Sequence, residues 1–261
     1  MKSAMGEVVQ YQLPLYDILE PNHYIPLNEL VGQKFRLTFE NAIHCVVSGK
    51  KINKVFGEGM SYDAFMNSPE ASPSIIRPEL SRIHEGIALR DYDWEMEHHM
   101  QPHYAYLSNT SGLKIGVTRT TQVPTRWIDQ GASQAIVIAA TPYRQAAGLV
   151  EVALKAHLAD KTNWQKMLKS VGEPIDLAKE RNHFSTFLPD DLKQWIKTDS
   201  EEMLINYPVL SYPEKVKSVK LDSMPEIEGT LTGIKGQYWM IDNSFVINIR
   251  SHAGYRVSLE F

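Results

Sequence analysis

The feature that most restricts the fold is a single stretch, residues 103–158, in which hydrophobic periodicity changes from two to 3.6. Residues 103–108 and 113–118 read as strands joined by a turn at 109–112, a β-hairpin. A short helix is expected after Pro124, and residues 135–140 form a third strand, stopped by Pro142. From 143 to 158 the pattern is helical: Ala146, Val150, Ala153, Leu154 and Leu158 share one face. A further short helix at 163–168 takes Thr162 as its expected N-cap. Strands and helices of this kind, mixed in one chain, give an α+β fold.

The flanks are less regular. Residues 6–13, 34–39 and 43–47 alternate weakly and read as short strands. From 57 to 86 the chain is broken at Gly59, Pro69, Pro73 and Pro78 and has little periodicity, so it needs extensive docking or a covalent or metal staple to stay ordered. A polar helical segment at 177–197 precedes strands at 227–234, 237–241, 245–249 and 255–261, an antiparallel meander. The expected organisation is a β-rich region at 1–100 containing the irregular segment at about 44–86. An α/β core at 101–175, a helical connector at 176–205 and the meander at 206–261 follow. The meander is expected to pack on the N-terminal strands, because neither set alone makes a closed core.

Composition removes several classes. One cysteine, Cys45, leaves no intrachain disulfide, and residues 1–10 lack a signal-like apolar core, so a reducing, cytoplasmic location is the expectation. No apolar run approaches the roughly 20 residues of a membrane span. There is no Ser-His-Asp order, glycine-rich phosphate loop or HExxH run, and Gly229, Gly233 and Gly236 lie between strands rather than opening a helix. Charge is unevenly spread. The formal net charge is -4, yet residues 101–170 carry eight basic side chains against three acidic ones. A basic centre in an acidic frame suits an anionic ligand, or else solvates helix faces.

Within that centre Tyr104, Tyr106, Lys114-Ile115-Gly116, Arg126, Glu151 and Asn163 follow the order hairpin, helix, strand, helix. This order resembles the GIY-YIG nuclease superfamily, although the chain reads His103-Tyr104-Ala105-Tyr106 without the first glycine, has Lys114 in place of a tyrosine, and takes a longer step from Gly116 to Arg126. The resemblance implies metal-dependent cleavage of DNA or RNA. Tyr104 and Tyr106 would orient or deprotonate water, Arg126 would contact the phosphate, and Glu151 would hold Mg²⁺ or Mn²⁺. It also implies substrate contacts from Lys114, Gly116, Arg119, Arg144 and Asn163. Each residue has a plainer reading: Glu151 an i,i+4 pair with Lys155, Arg126 an ion pair beside Trp127, the tyrosines core packing, and Asn163 a helix cap. His98 and His99, adjacent on an expected strand, would diverge, and His157 reads as a core histidine. The alternative at the level of function is a nucleic-acid-binding or scaffold module that holds phosphates without cutting them.

A second resemblance covers more of the chain. MQPH at 100–103, LKIGVTR at 113–119, PTRWIDQGA at 124–132, AGLVE at 147–151, DKTNW at 160–164 and KGQY at 235–238 look like the bacterial family designated domain of unknown function 2797. That family implies cysteine pairs of a zinc-ribbon type in the irregular region. Here Cys45 and His84 stand with Ser48, Ser61, Ala64, Ala71, Ser74 and Ser81 at the other positions, so a four-ligand structural zinc is not expected.

Overall fold

The computed structural model describes residues 1–15, 23–158 and 163–261; Thr162, the expected N-cap, lies outside them. The chain is α+β. It opens with a small antiparallel sheet, β1 (Lys2–Ala4), β2 (Gln10–Leu15) and β3 (His23–Pro26). The two strands expected at 34–39 and 43–47 are largely one, β4 (Lys34–His44), which passes through Asn41 at a left-handed φ of 53°. Asn tolerates that conformation at little cost, so the strand bends there without ending. β5 (Lys51–Ile52) pairs with the end of β4.

The irregular region condenses into short helical turns, most of them started either by a serine that takes up an orphan N–H or by a proline that has none to satisfy. Ser61 caps α1 (Tyr62–Asn67) by accepting from the Ala64 N–H, and α2 (Pro73–Ile76) begins at a proline. Arg90 ties the segment together by donating to the carbonyls of Phe65 at 2.9 Å and Ser68 at 2.6 Å. Next comes α3 (Tyr92–His99), capped by Asp91, whose carboxylate accepts from the Trp94 N–H at 2.8 Å. His98 and His99 are therefore on a helix, not the expected strand: the Asp91 cap and the acidic first turn outweigh the absence of an apolar stripe.

The central unit follows: β6 (His103–Asn109), β7 (Leu113–Arg119), α4 (Thr125–Asp129), β8 (Gln134–Thr141) and α5 (Arg144–Lys155). α6 (Trp164–Met167) is capped by Asn163, which accepts from the Lys166 N–H at 3.0 Å. In place of one long polar helix stand α7 (Leu177–Ser185) and α8 (Asp190–Lys193), interrupted at Pro189, which has no N–H to continue a helical ladder. His157 lies just past α5, exposed and stacked on Phe187 at 4.2 Å, not in the core. α5 ends before the apolar stripe carries His157 inward.

β9 (Met203–Leu204) completes a sheet ordered β7-β6-β8-β9. The last strands are β10 (Lys217–Ser218), β11 (Glu226–Lys235), β12 (Tyr238–Ile241), β13 (Phe245–Asn248) and β14 (Tyr255–Glu260). β11, β12 and β13 form the meander, but β14 crosses to the far side of β4, giving the order β10-β13-β12-β11-β4-β14. The C-terminal strands thus enclose the N-terminal β4 within their own sheet.

Alternation places this large sheet and the helices on opposite faces of the central one. Tyr106, Ala135 and Val137 share a core with Phe35, Leu37, Leu231 and Trp239 of the large sheet. Ala105, Leu107, Ile136 and Ile138 point the other way, onto Val150 and Leu154 of α5 and Leu177 and Phe184 of α7. β7 is left at an edge, and the candidate site forms along it. Among the described residues no helix is long and apolar enough to cross a membrane.

Candidate functional site

The site begins with a close approach between β6 and β7. Tyr106 faces Gly116 across the ladder, and a Cβ on Gly116 would lie 2.7 Å from the tyrosine hydroxyl. Glycine is the residue that lets the ring lie across the edge strand. The hydroxyl donates to Gln130 Oε1 at 2.9 Å. Burial pushes the phenol up to about 12, against the pull of the nearby Arg126 guanidinium. α4 buries Trp127 and Ile128, which leaves Arg126 on its exposed side.

A cavity of about 320 Å³ lies over this edge, and Lys114, Gly116, Arg119, Arg126, Arg144 and Glu151 all line it. The cations feel one another. Burial lowers Lys114 to about 8, helped by Arg126 and opposed by Glu151. Burial likewise lowers Arg144 to about 10, with Arg126 and Arg119 adding to the effect and Glu151 opposing it. Arg250 also lines the cavity, but it is paired with Glu58 at 2.7 Å and Asp129 at 3.5 Å, so its charge is largely answered. Crowded cations in a partly desolvated hollow are repaid by an anion.

Glu151 is the counterpoint. It is buried on α5, its Oε1 lies 3.5 Å from the Lys155 ammonium, and its Oε2 is buried without a hydrogen-bond partner. Burial raises its pKa, and Glu79 pushes the same way, while Lys155 and Arg144 oppose. The i,i+4 pair with Lys155 therefore forms, yet it satisfies only one carboxylate oxygen.

The cavity's second wall comes from residues not expected at the site: Ile75, Ile76 and Pro78 around α2, and Trp94, His98 and His99 of α3, the two histidines being expected instead as a divergent pair on a strand. Two contacts seat the first group. Arg144 donates from Nε to the Ser74 carbonyl at 2.9 Å and from Nη2 to the Ile75 carbonyl at 3.0 Å. Gly148 lies so close to the chain at Pro78–Leu80 that a Cβ would sit 2.3 Å from the Glu79 nitrogen. Arg144, expected to meet substrate, is thus also a strap. Of the missed residues, those on α3 carried a usable signal in Asp91 followed by Asp93 and Glu95, an N-terminal helix signature.

A sequence model described as "Protein of unknown function (DUF2797)" matches residues 32–257, most of the chain. The chain belongs to the DUF2797 family. No curated protein and no solved structure matches it. In this DUF2797 chain the matched segment contains both walls of the cavity, the strands β4 to β13 and the first half of β14.

Three expected site residues lie apart from the cavity lining of this DUF2797 protein. Tyr106 is sealed beneath Gly116, Tyr104 packs at the margin of the core shared with the large sheet, and Asn163 caps α6 while its N–H donates to Ser111 Oγ at 2.8 Å. Among the described residues no group of three His, Cys, Asp or Glu side chains converges as a ready metal cage. Glu151 alone, with an orphaned buried oxygen, fits a cation that takes a single carboxylate and fills its other positions with water and phosphate, as Mg²⁺ does.

Proposed function

We propose that this protein binds a phosphodiester of DNA or RNA in the cavity and hydrolyses it with a divalent cation, Mg²⁺ or Mn²⁺, held by Glu151. The observation that carries the reading is the convergence of Lys114 and Arg119 of β7, Arg126 of α4, and Arg144 and Glu151 of α5 on one hollow. Cleaving a phosphodiester requires charge on the phosphoryl oxygens to be offset and the group to be held still. Arg126 and Arg119 supply the charge. Tyr106, admitted by the missing side chain at Gly116, and Gln130 form a fixed floor beside Arg126. A cation on Glu151 would add Lewis-acid charge and an activated water. The order of hairpin, helix, strand and helix, antiparallel with β6 between β7 and β8, supports the likeness to GIY-YIG nucleases.

One observation favours the alternative, a module that binds nucleic acid without cutting. Tyr106 is sealed and its phenol is pushed up to about 12, so it is a poor base. Incubation with supercoiled plasmid, single-stranded DNA and structured RNA separates the two. Cleavage that needs Mg²⁺ or Mn²⁺, stops with a chelator and disappears in Glu151→Ala supports the nuclease. Retention that weakens steeply with salt, without cutting, supports the binder. Neither cleavage nor retention refutes both.

A further inference from the structure

The two walls of the cavity differ in chemistry as the two ends of a nucleotide do. One offers Lys114, Arg119 and Arg126; the other offers Trp94 and Ile76. Ile76 is 83% exposed, and a large aliphatic side chain left open at the mouth of a charged cleft is a candidate contact for an apolar ligand face. The indole of Trp94 is held as a plate. His98 stacks on it at 4.1 Å with the planes 4° apart, and His99 meets it edge-on at 5.3 Å and 85°. His98 is itself fixed, its Nδ1 donating to the Trp94 carbonyl at 2.9 Å. Order imposed beforehand in this way removes much of the entropy cost of stacking a flat ligand.

Size narrows the ligand further. A cavity of about 320 Å³ is at the small end of those that enclose one small molecule. Bases inside a duplex are stacked on one another and closed to a plate of this kind, whereas an unpaired base has a free π-face. Resting on the phosphodiester reading above, we propose that Trp94 and Ile76 form a base-stacking subsite, so that the cavity takes an unpaired nucleotide rather than the backbone of an intact duplex. The phosphate lies on the cationic wall and its base on the aromatic one.

The test is fluorescence anisotropy of the full chain with three end-labelled probes: a short single-stranded DNA, an abasic strand with the same number of phosphates, and a blunt duplex. Wild type is expected to bind the intact strand about 10-fold or more tighter than the abasic strand. Trp94→Ala should erase that difference while leaving the abasic affinity unchanged, and Trp94→Phe should keep most of it. Ile76→Ser, a change at an exposed position that leaves the fold undisturbed, should reduce the difference several-fold and so serves where Trp94→Ala fails to fold. Equal binding of intact and abasic strands by wild type, or a duplex bound as tightly as the single strand, overturns the subsite and leaves the phosphate reading standing. Failure of wild type to bind any probe refutes the phosphate reading, and the subsite with it.

Discussion

The two walls of the cavity are built on different principles. The cationic wall belongs to a sheet edge: β7 is held to β6 along its whole length, from His103 opposite Arg119 to Asn109 opposite Leu113, and α5 covers its back. The wall around α2 and α3 has no ladder. It consists of turns of three to eight residues, seated by the Arg144 strap, by the absence of a side chain at Gly148 and by buried polar groups of which several are incompletely satisfied. Backbone pairing spreads stability over many small contributions, whereas docking concentrates it in a few residues. The docked wall should therefore open first under any stress.

Acid should produce the largest effect. His99 and His103 are buried, and burial, with Arg144 nearby, lowers them to about 3 and about 4. Nδ1 of His103 lies 2.7 Å from the Gln101 carbonyl, which can only accept, so the proton is on Nδ1 and the buried Nε2 is without a partner. In the unfolded chain both imidazoles titrate near 6.5. The folded pKa values are depressed, so between about 6.5 and 4 the unfolded state binds more protons and stability rises with pH. Each group contributes up to roughly 1.4 kcal/mol per pH unit across that window. Urea midpoints measured from pH 7 to pH 5 should fall, and His99→Gln should make the slope shallower by about one proton. An unchanged slope would show that His99 is not held neutral. Hydrogen exchange at pH 5 should deprotect α3 before β6, which sets the docked wall directly against the paired one.

Gly148 gives a sharper cut with a smaller energy. On a free helix, Gly→Ala stabilises by about 1 kcal/mol. Here the added Cβ meets backbone at 2.3, 2.6 and 2.9 Å, at the Glu79 nitrogen, the Pro78 carbonyl carbon and the Glu79 Cα, none of which can rotate away. Overpacking of that kind costs about 1–3 kcal/mol, enough to reverse the sign. Gly148→Ala should lower the melting temperature and increase exchange at residues 73–80 while leaving β6 and β8 protected. A raised melting temperature with unchanged exchange would mean that the segment is not seated on α5.

The same contrast decides what could be read from the residues alone. The hairpin, the strand at 134–141 and the helix after it were legible because alternation and the helical stripe are local patterns, and six of the nine expected site residues lie on or next to those elements and reach the cavity. The helix carrying Trp94 and His98 was legible only through its acidic cap at Asp91, and Ile76 not at all: their wall has neither periodicity, and its seat on α5 depends on pairing Gly148 with Glu79 and Arg144 with Ser74, contacts some seventy residues apart. Tyr104 and Tyr106 were legible as a pair on one strand face, but that face also meets the large sheet, and only the position of Gly116 shows Tyr106 to be sealed. β14 was legible as a strand. That it would cross to β4 and not extend the meander depends on the other strands' edges, which no local pattern states.

Glu151 carries the smallest and most diagnostic expectation. Its Oε2 is buried without a partner and burial raises the pKa, as Glu79 does, so the ionised carboxylate is held at a cost that the Lys155 pair only partly offsets. A buried oxygen left without a partner costs on the order of 1–3 kcal/mol, and the Lys155 pair recovers only part of that. Glu151→Gln keeps the shape and removes the charge, so it should stabilise the protein by about 1 kcal/mol near neutral pH. Because the folded pKa is raised, the penalty is present above it and fades as pH falls toward the ordinary carboxylate range, so the gain should shrink in acid. Differential scanning calorimetry of the two proteins at pH 7.5 and pH 5 checks both the sign and the trend. Addition of Mg²⁺ should raise the melting temperature of wild type alone, since a ligand that binds only the folded state stabilises it. A Gln variant less stable than wild type at pH 7.5 would make Glu151 part of the frame; a more stable one would mean that the carboxylate is kept at the expense of stability, as a group that meets a ligand is.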